Sequence, residues 1–440
     1  MKIITIIKRD QVLKGKLSLP SSKSISNRLL IIRAMTPAGF SIHNLSESAD
    51  TVLLQQLLAE INLKKGSTTG VVLDTGNAGT VMRFLTAYLA FQPGKWILGG
   101  SERMKQRPVS ELVDALKSLG AEINYLSAPG FPPLVIQGNK PKSNQVTIDS
   151  GISSQFISAL LMTGPSTPGG LIINLKGTAV SFPYIDMTIR IMDYFGVKVC
   201  INSPPLQGEG PGVGSFRSHG EGGKLTVPHS DYIPRDFLVE SDWSAAAFWY
   251  EAAALADEVD LVLQGLLPDS IQGDSILAEI FRNFGVQTEF TIDGIRLTKM
   301  KNGIKDFYFD FTNHPDLAPA LITTCAALGL KGKFEGLRSL KIKESDRVNV
   351  LRKNYEMLGI SLVPSKVNDP DPVIEFDPEA RYQMPDARCQ IDSSGDHRIA
   401  MAFAPLAIKM GSIRIEDPDV VVKSYPRFWE DLQSLGFEIS

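Results

Sequence analysis

The chain has 440 residues, 43% hydrophobic and 21% charged, with a formal net charge of −3. That length exceeds one core of common size and points to two domains. The charge balance excludes an electrostatically driven partner such as nucleic acid or an anionic membrane, and no stretch approaches the ~18 unbroken apolar residues of a membrane span.

The opening "MKIITIIKRDQ" reads as a strand and lacks the apolar core and small-residue cleavage site of a signal peptide. Next, "PSSKSISNRLLIIRAM" is a helix with a polar start, and "LLAEINLKK" is a helix end near 65. "GNAGTVMRFLTAYLA" opens a helix on almost no side chain, with Arg83 inside the apolar run. In "SERMKQRPVSELV" (101–113), Pro108 suits a first helical position, so Arg107 is expected to project from the mouth of a loop. "DALKSLGAEINY" (114–125), "IMDYFGVKVCI" (191–201), "EIFRNFGVQTEF" (279–290), "YEMLGISLV" (355–363) and the closing "DLQSLGFEIS" each run from a helix end through Gly into alternating apolar residues. The glycine fits a left-handed cap, where a Cβ is costly, and the residues after it have the period of a strand. With "LLAEINLKK" there are six such units, expected as three per domain.

The remaining helix starts are "SSQFISALLM", "ESDWSAAAFWYEAAALA", "ESDRVNVLRKNYEML" and "DHRIAMAFAPLAI". Ser, Asn and Asp in these first turns are ordinary N-caps. Cations there oppose the helix dipole. Lys23, Arg28, Arg83, Arg347 and Arg398 all fall in the opening turns, which predicts a shared anion held by backbone and cation together. The stretch 202–224, rich in Gly, Pro and Ser, has no periodicity and reads as an extended surface loop. The three cysteines, Cys200, Cys325 and Cys389, are far apart and odd in number, which argues against a disulfide framework or Cys-based zinc site and fits a reducing cytoplasm.

No Walker-type loop, HExxH or GxSxG is present. What carries chemistry is a set of basic and carboxylate motifs. Lys23, Ser24 and Arg28 sit near one helix start; "NHPDLAPAL" offers Asp316 beside His314; "KIKESDR" supplies Lys343, Glu344 and Arg347. Glu344 and Arg347, three apart, share a helix face. "SGDHRIAMAF" supplies His397 and Arg398, and "VVKSYPRF" places Lys423 ahead of the last helix.

Together, "GNAGTVMR", "RMKQRPVSELVDALKSLGA", "SSQFISALLM", "KIKESDR" and "DHRIAMAF" closely resemble the 5-enolpyruvylshikimate-3-phosphate synthases, of the enolpyruvyl transferases. The resemblance spans the chain except 202–224. It implies an α/β fold of two barrel-like lobes, each of three βαβαββ-type repeats about a pseudo-threefold axis. One lobe would be 21–240, carrying the GNAGT and SSQ helix starts. The other would be 1–20 with 241–440, carrying Asp316 and the KESDR and DHR motifs. The chain would cross near Pro20 and near "VESDW" (239–243), with the active site in the cleft between lobes.

The implied reaction moves the enolpyruvyl group of phosphoenolpyruvate to the 5-hydroxyl of shikimate 3-phosphate, releasing phosphate through a tetrahedral adduct. It belongs to chorismate and aromatic amino-acid biosynthesis. By the same resemblance Asp316, Glu344 and Lys23 are catalytic. Phosphoenolpyruvate would meet Lys23, Asn77, Gly79, Arg107, Gln155, Arg347, Arg398 and Lys423. Shikimate 3-phosphate would meet Ser24, Arg28, Ser153, Ser154, Gln155, Ser181, Asp316 and Lys343. A cytoplasmic monomer with no cofactor or metal is implied. Ser339 replaces a family asparagine that helps hold the shikimate ring, Val81 follows "GNAGT" where a smaller residue is common, and Phe182 stands where some members carry Lys. The rivals are the sister transferase acting on UDP-N-acetylglucosamine and an inactive phosphate-binding homologue. The sister family carries a Cys-bearing loop where this chain reads "GGSERMKQRP".

Overall fold

The computed structural model describes all residues except 1, 203–222, 302, 361, 363–368, 370 and 377–389. Most of the expected 202–224 loop therefore lies outside the described residues, as do Cys389 and part of the strand expected in "YEMLGISLV". The ends of that loop are not irregular: Cys200–Asn202 and Lys224–Val227 pair as antiparallel strands.

The chain forms two compact units. The KESDR unit comprises Met1–Lys23, Asn44–Ala49 and Val239–Ser440; the GNAGT unit comprises Ser24–His43 and Asp50–Leu238. In the GNAGT unit, Val71–Asp74 pairs in parallel with Gly94–Gly99 across the helix Gly79–Ala90, and the sheet continues antiparallel through Leu134–Gly138 to Glu122–Tyr125. The same order returns in Gln145–Asp149, Leu171–Lys176, Lys224–Val227 and Cys200–Asn202. A third, two-stranded pairing joins Ile42–His43 in parallel to Phe237–Leu238.

The KESDR unit repeats the order three times. Val12–Ser18 lies parallel to Glu258–Gln264, followed by Gly294–Lys299 and Val286–Thr291. Asp306–Asp310 lies parallel to Lys331–Glu335, followed by Ile374–Phe376. Gln390–Ile391 lies parallel to Ser412–Glu416, and this last sheet takes its next strand, Ile3–Ile7, from the other end of the chain before Glu438–Ile439. One parallel crossover followed by an antiparallel pair is thus the recurring unit, and no sheet closes on itself among the described residues. The repeating glycine behaves as its position requires: Gly120, Gly196, Gly285, Gly359 and Gly436 all have φ between +68 and +97.

Each crossover helix is buried, and its N-terminus follows a short turn. Gly79–Ala90 is buried at every residue but Thr80, and Trp243–Leu255 at every residue but Ser244. Such helices carry apolar side chains all round, so their polar residues gather at the ends. Glu251 breaks that rule. It is fully buried in Trp243–Leu255, and neither carboxylate oxygen has a hydrogen-bond partner among the described residues. Burial pushes its carboxyl well above the usual range.

A carboxyl held neutral in the fold binds a proton that the unfolded chain releases above a pH of about 4.3. Stability therefore falls as pH rises from there towards the folded pKa, by up to about 1.4 kcal/mol per pH unit. Glu251→Gln removes this term. Its melting temperature is expected to gain on the parent between pH 5 and pH 8; a Tm difference that stays flat over that range would show that Glu251 does not titrate this way.

Candidate active site

In the GNAGT unit the anion-binding candidates gather at helix starts. The turn before Gly79 folds tightly: Gly76 has φ +53, its N–H donates to Asp74 Oδ1 at 2.8 Å, and Ala78 N–H donates to Thr75 O at 2.9 Å. The helix then begins with no side-chain cap, so its first N–H groups have no intrahelical partner. Arg107 lies against this opening. Its Nη1 donates to Asn77 O at 3.3 Å, and a Cβ placed on Gly79 would lie 2.5 Å from Arg107 Nη2. Gln155 reaches the same helix start through Nε2, which donates to Thr80 Oγ1 at 3.0 Å. Asn77, Gly79, Arg107 and Gln155 therefore form one cluster.

Ser153 caps the neighbouring helix Ser154–Thr163, its Oγ accepting from Gln155 N–H. Ser181 holds left-handed backbone, φ +54, at the start of Phe182–Tyr194 and makes no cap bond. Ser24 is tied to its own helix through Arg28, whose Nη1 donates to Ser24 O at 2.9 Å.

Three expectations need correction here. Arg107 does not project from a loop mouth. It is 3% exposed, it ends a one-turn 3-10 helix, Met104–Gln106, and the following helix starts only at Ser110. Arg28 and Arg83 do not present their charge at a helix start either. Arg28 Nε donates to Thr188 Oγ1 at 2.7 Å and its Nη2 to Ser158 Oγ and Tyr184 O. Burial pushes its guanidinium down to about 10. Arg83 turns back to Gly79 O at 3.2 Å and across to Pro108 O at 3.1 Å. A buried guanidinium must place its donors on acceptors, and in both cases the carbonyl one turn back is one of them.

In the KESDR unit the charges form one network. The predicted pairing of Glu344 with Arg347 is present at 2.9 Å. Arg347, 1% exposed, also binds Asp396 through Nε at 2.8 Å and Asp316 through Nη1 at 3.3 Å. Arg398 Nη2 meets Asp316 Oδ2 at 3.0 Å, Lys343 Nζ meets Asp316 Oδ1 at 3.4 Å, and Lys423 Nζ lies 3.8 Å from Glu344 Oε1. Against the carboxylates Asp316, Glu344 and Asp396 stand the cations Lys343, Arg347, Arg398 and Lys423. The network carries surplus positive charge even before Lys23, whose backbone N–H is held by Asp242 Oδ2 at 3.1 Å.

Burial alone would raise the Asp316 carboxyl. The charges of Arg398, Lys343 and Arg347 overcome that and hold it well below the usual range. His397, beside this network, is buried, and neither ring nitrogen is hydrogen-bonded among the described residues. Burial and then the Lys23 charge hold its imidazole well below its ordinary value, hence neutral. Asp396 is the residue that the motif reading missed. It is fully buried, caps the helix His397–Phe403 by accepting from Arg398 N–H, and takes two bonds from Arg347 and one from Ser345 Oγ. An Asp directly ahead of an apolar helix was the available signal.

No helix among the described residues is long and apolar enough to cross a membrane, and no group of His, Cys, Asp and Glu there could hold a metal. Asp316→Asn would leave Arg398 and Lys343 without their shared carboxylate. Truncating one member of such a network costs about 1–3 kcal/mol. The variant is expected to melt several degrees lower and to regain more Tm than the parent on adding inorganic phosphate. An equal phosphate shift in both would show that Asp316 does not offset these cations.

The family profile of EPSP synthase (3-phosphoshikimate 1-carboxyvinyltransferase) matches residues 7–432. A 3-phosphoshikimate 1-carboxyvinyltransferase of Bacteroides fragilis is 42% identical over 428 residues, covering 97% of this chain and 96% of that protein. The Sulfurovum protein of the same name is 33% identical, covering 99% and 100%. Among solved structures, EPSP synthase from Acinetobacter baumannii superposes with a TM-score of 0.72 at 23% identity, covering 100% of both chains. The two α/β units of repeated crossovers are thus the fold of that structure, and the chain belongs to the EPSP synthase family.

Proposed function

We propose that this protein transfers the enolpyruvyl group of phosphoenolpyruvate to the 5-hydroxyl of shikimate 3-phosphate and releases phosphate. The observation that carries this reading is the KESDR network. Two candidate acid–base carboxylates, Asp316 and Glu344, are embedded in a surplus of cations. Both substrates are anions, so a net-positive site that also holds carboxylates suits binding and proton transfer together.

Asp316 takes the proton of the 5-hydroxyl as that oxygen attacks C2 of phosphoenolpyruvate, while the Glu344 carboxyl gives its proton to C3. In the second half C3 gives a proton to Glu344 as the phosphate leaves C2, restoring the double bond. Lys23 assists the proton transfer and binds phosphate. In the KESDR unit Arg398, Arg347 and Lys423 are the candidates for phosphoenolpyruvate and Lys343 for shikimate 3-phosphate. In the GNAGT unit Asn77, Gly79, Arg107 and Gln155 are the candidates for the first, and Ser24, Ser153, Ser154, Gln155 and Ser181 for the second, with Arg28 bracing their helix starts. In the free protein Asp316 is too well neutralised to be a strong base. When substrate anions draw Arg398 and Lys343 towards themselves, its proton affinity rises, and with it its strength as a base.

A coupled phosphate-release assay with phosphoenolpyruvate tests the reading directly. Turnover is expected with shikimate 3-phosphate and not with UDP-N-acetylglucosamine; the reverse pattern would replace it with the sister activity. Glu344→Gln is expected to retain substrate binding and lose about 10²–10⁴-fold in kcat, and near-normal kcat would remove Glu344 from the chemistry. Gly79→Ala forces the Arg107 guanidinium aside. It is expected to raise KM for phosphoenolpyruvate far more than KM for shikimate 3-phosphate, whereas equal rises would reduce the segment to a turn.

A further inference from the structure

We propose that Arg83 is a positioning residue that staples the Arg107 segment to the start of the Gly79–Ala90 helix and so sets where Arg107 meets phosphoenolpyruvate. The inference rests on the assignment of Arg107 to that substrate.

Arg83 is 4% exposed and lies in the second turn of its helix. Positive charge there opposes the helix dipole, so its placement needs a return. Its Nη1 donates to Gly79 O at 3.2 Å and touches Met104 Sδ at 3.7 Å, while Nη2 donates to Pro108 O at 3.1 Å. One planar head group therefore joins the first residue of the helix to the residue just after Arg107. The two ends of the Arg107 segment, Met104 and Pro108, both touch it.

The Arg107 side chain closes the loop from the other side. Its Nη1 donates to Asn77 O at 3.3 Å, and its guanidinium occupies the space a Cβ on Gly79 would fill. Gly79 is thus gripped through its carbonyl by Arg83 and overlain at its Cα by Arg107. The backbone of the Arg107 segment and the tip of its side chain are referenced to the same residue. The rigid fork of an arginine can span two carbonyls at a fixed separation, and the point charge of a lysine cannot.

The test compares Arg83→Lys and Arg83→Gln with the parent, each alone and combined with Arg107→Lys, by phosphate release and by melting temperature. Arg83→Lys keeps the buried charge, so it reads the geometry even if Arg83→Gln fails to fold. For Arg83→Lys we expect KM for phosphoenolpyruvate to rise about tenfold or more, with KM for shikimate 3-phosphate within about twofold of the parent. The double variant is expected to match Arg107→Lys alone, because Arg83 acts through Arg107. Additive effects of the two changes, or equal rises in both KM values, would make Arg83 an ordinary core residue and overturn the proposal. If the parent neither turns over nor binds phosphoenolpyruvate, the functional reading falls and takes this one with it. A parent that turns over beside an unaltered Arg83→Lys overturns the staple alone.

Discussion

A cation at the start of a helix is unfavourable until an acceptor meets it, and a buried guanidinium is worse off still, because each unfilled donor costs about 1–3 kcal/mol. This protein places such groups repeatedly and answers each one. Arg28 and Arg83 spend their donors on carbonyls and hydroxyls of neighbouring helix starts. Arg347 spends its donors on three carboxylates. Arg107 donates to Asn77 O, and Arg398 to the carbonyl and carboxylate of Asp316. Arg28 and Arg83 thus act as braces that tie neighbouring helix starts together.

The fold makes that arrangement repeatable. Four of the copies take the chain from a strand, through a short turn, into a buried helix and back to a parallel strand, and the other two pair strands far apart in the chain. A parallel pair requires such a crossover, and the crossover brings a helix N-terminus to the same end of each sheet. Asn77, Ser153, Asp316 and His397 all sit at these openings. The second helix of a copy is preceded by Arg107, Ser181, Glu344 or Lys423 in the same way. The candidate residues thus sit at the turns, and the interiors of the helices are mostly apolar. Glu251 is a buried carboxyl among them, and no acid–base role follows from its position in the core.

The electrostatics of the KESDR network bear on how strong a base the free protein holds. Asp316 is anchored by Lys343, Arg347 and Arg398, which the proposed reaction also needs for its anionic substrates. Its carboxylate serves as their counter-ion when nothing else does. Asp396 performs a comparable service permanently, since it is fully buried and bound to Arg347 and to the helix it caps. Removing a charge from such a network leaves an uncompensated partner, which explains why acid and base are interleaved so closely.

The helix–Gly–strand units, the polar helix starts and the Glu344–Arg347 pair were legible in the sequence. Each depends on residues a few positions apart and on constraints internal to the backbone: the period of an apolar face, the left-handed glycine, the i, i+3 spacing. Which cations turn inward, and onto which acceptors, was not legible. Arg28 is satisfied by Ser158, Tyr184 and Thr188, and Arg347 by an aspartate 49 residues away. The burial of Arg107 and the role of Asp396 likewise depend on segments brought together by the crossovers. The sequence by itself determined the repeats and where their helices begin, because those are local. Only the tertiary structure decided the pairing of the charges, because a buried charge is defined by whichever distant acceptor the packing delivers to it.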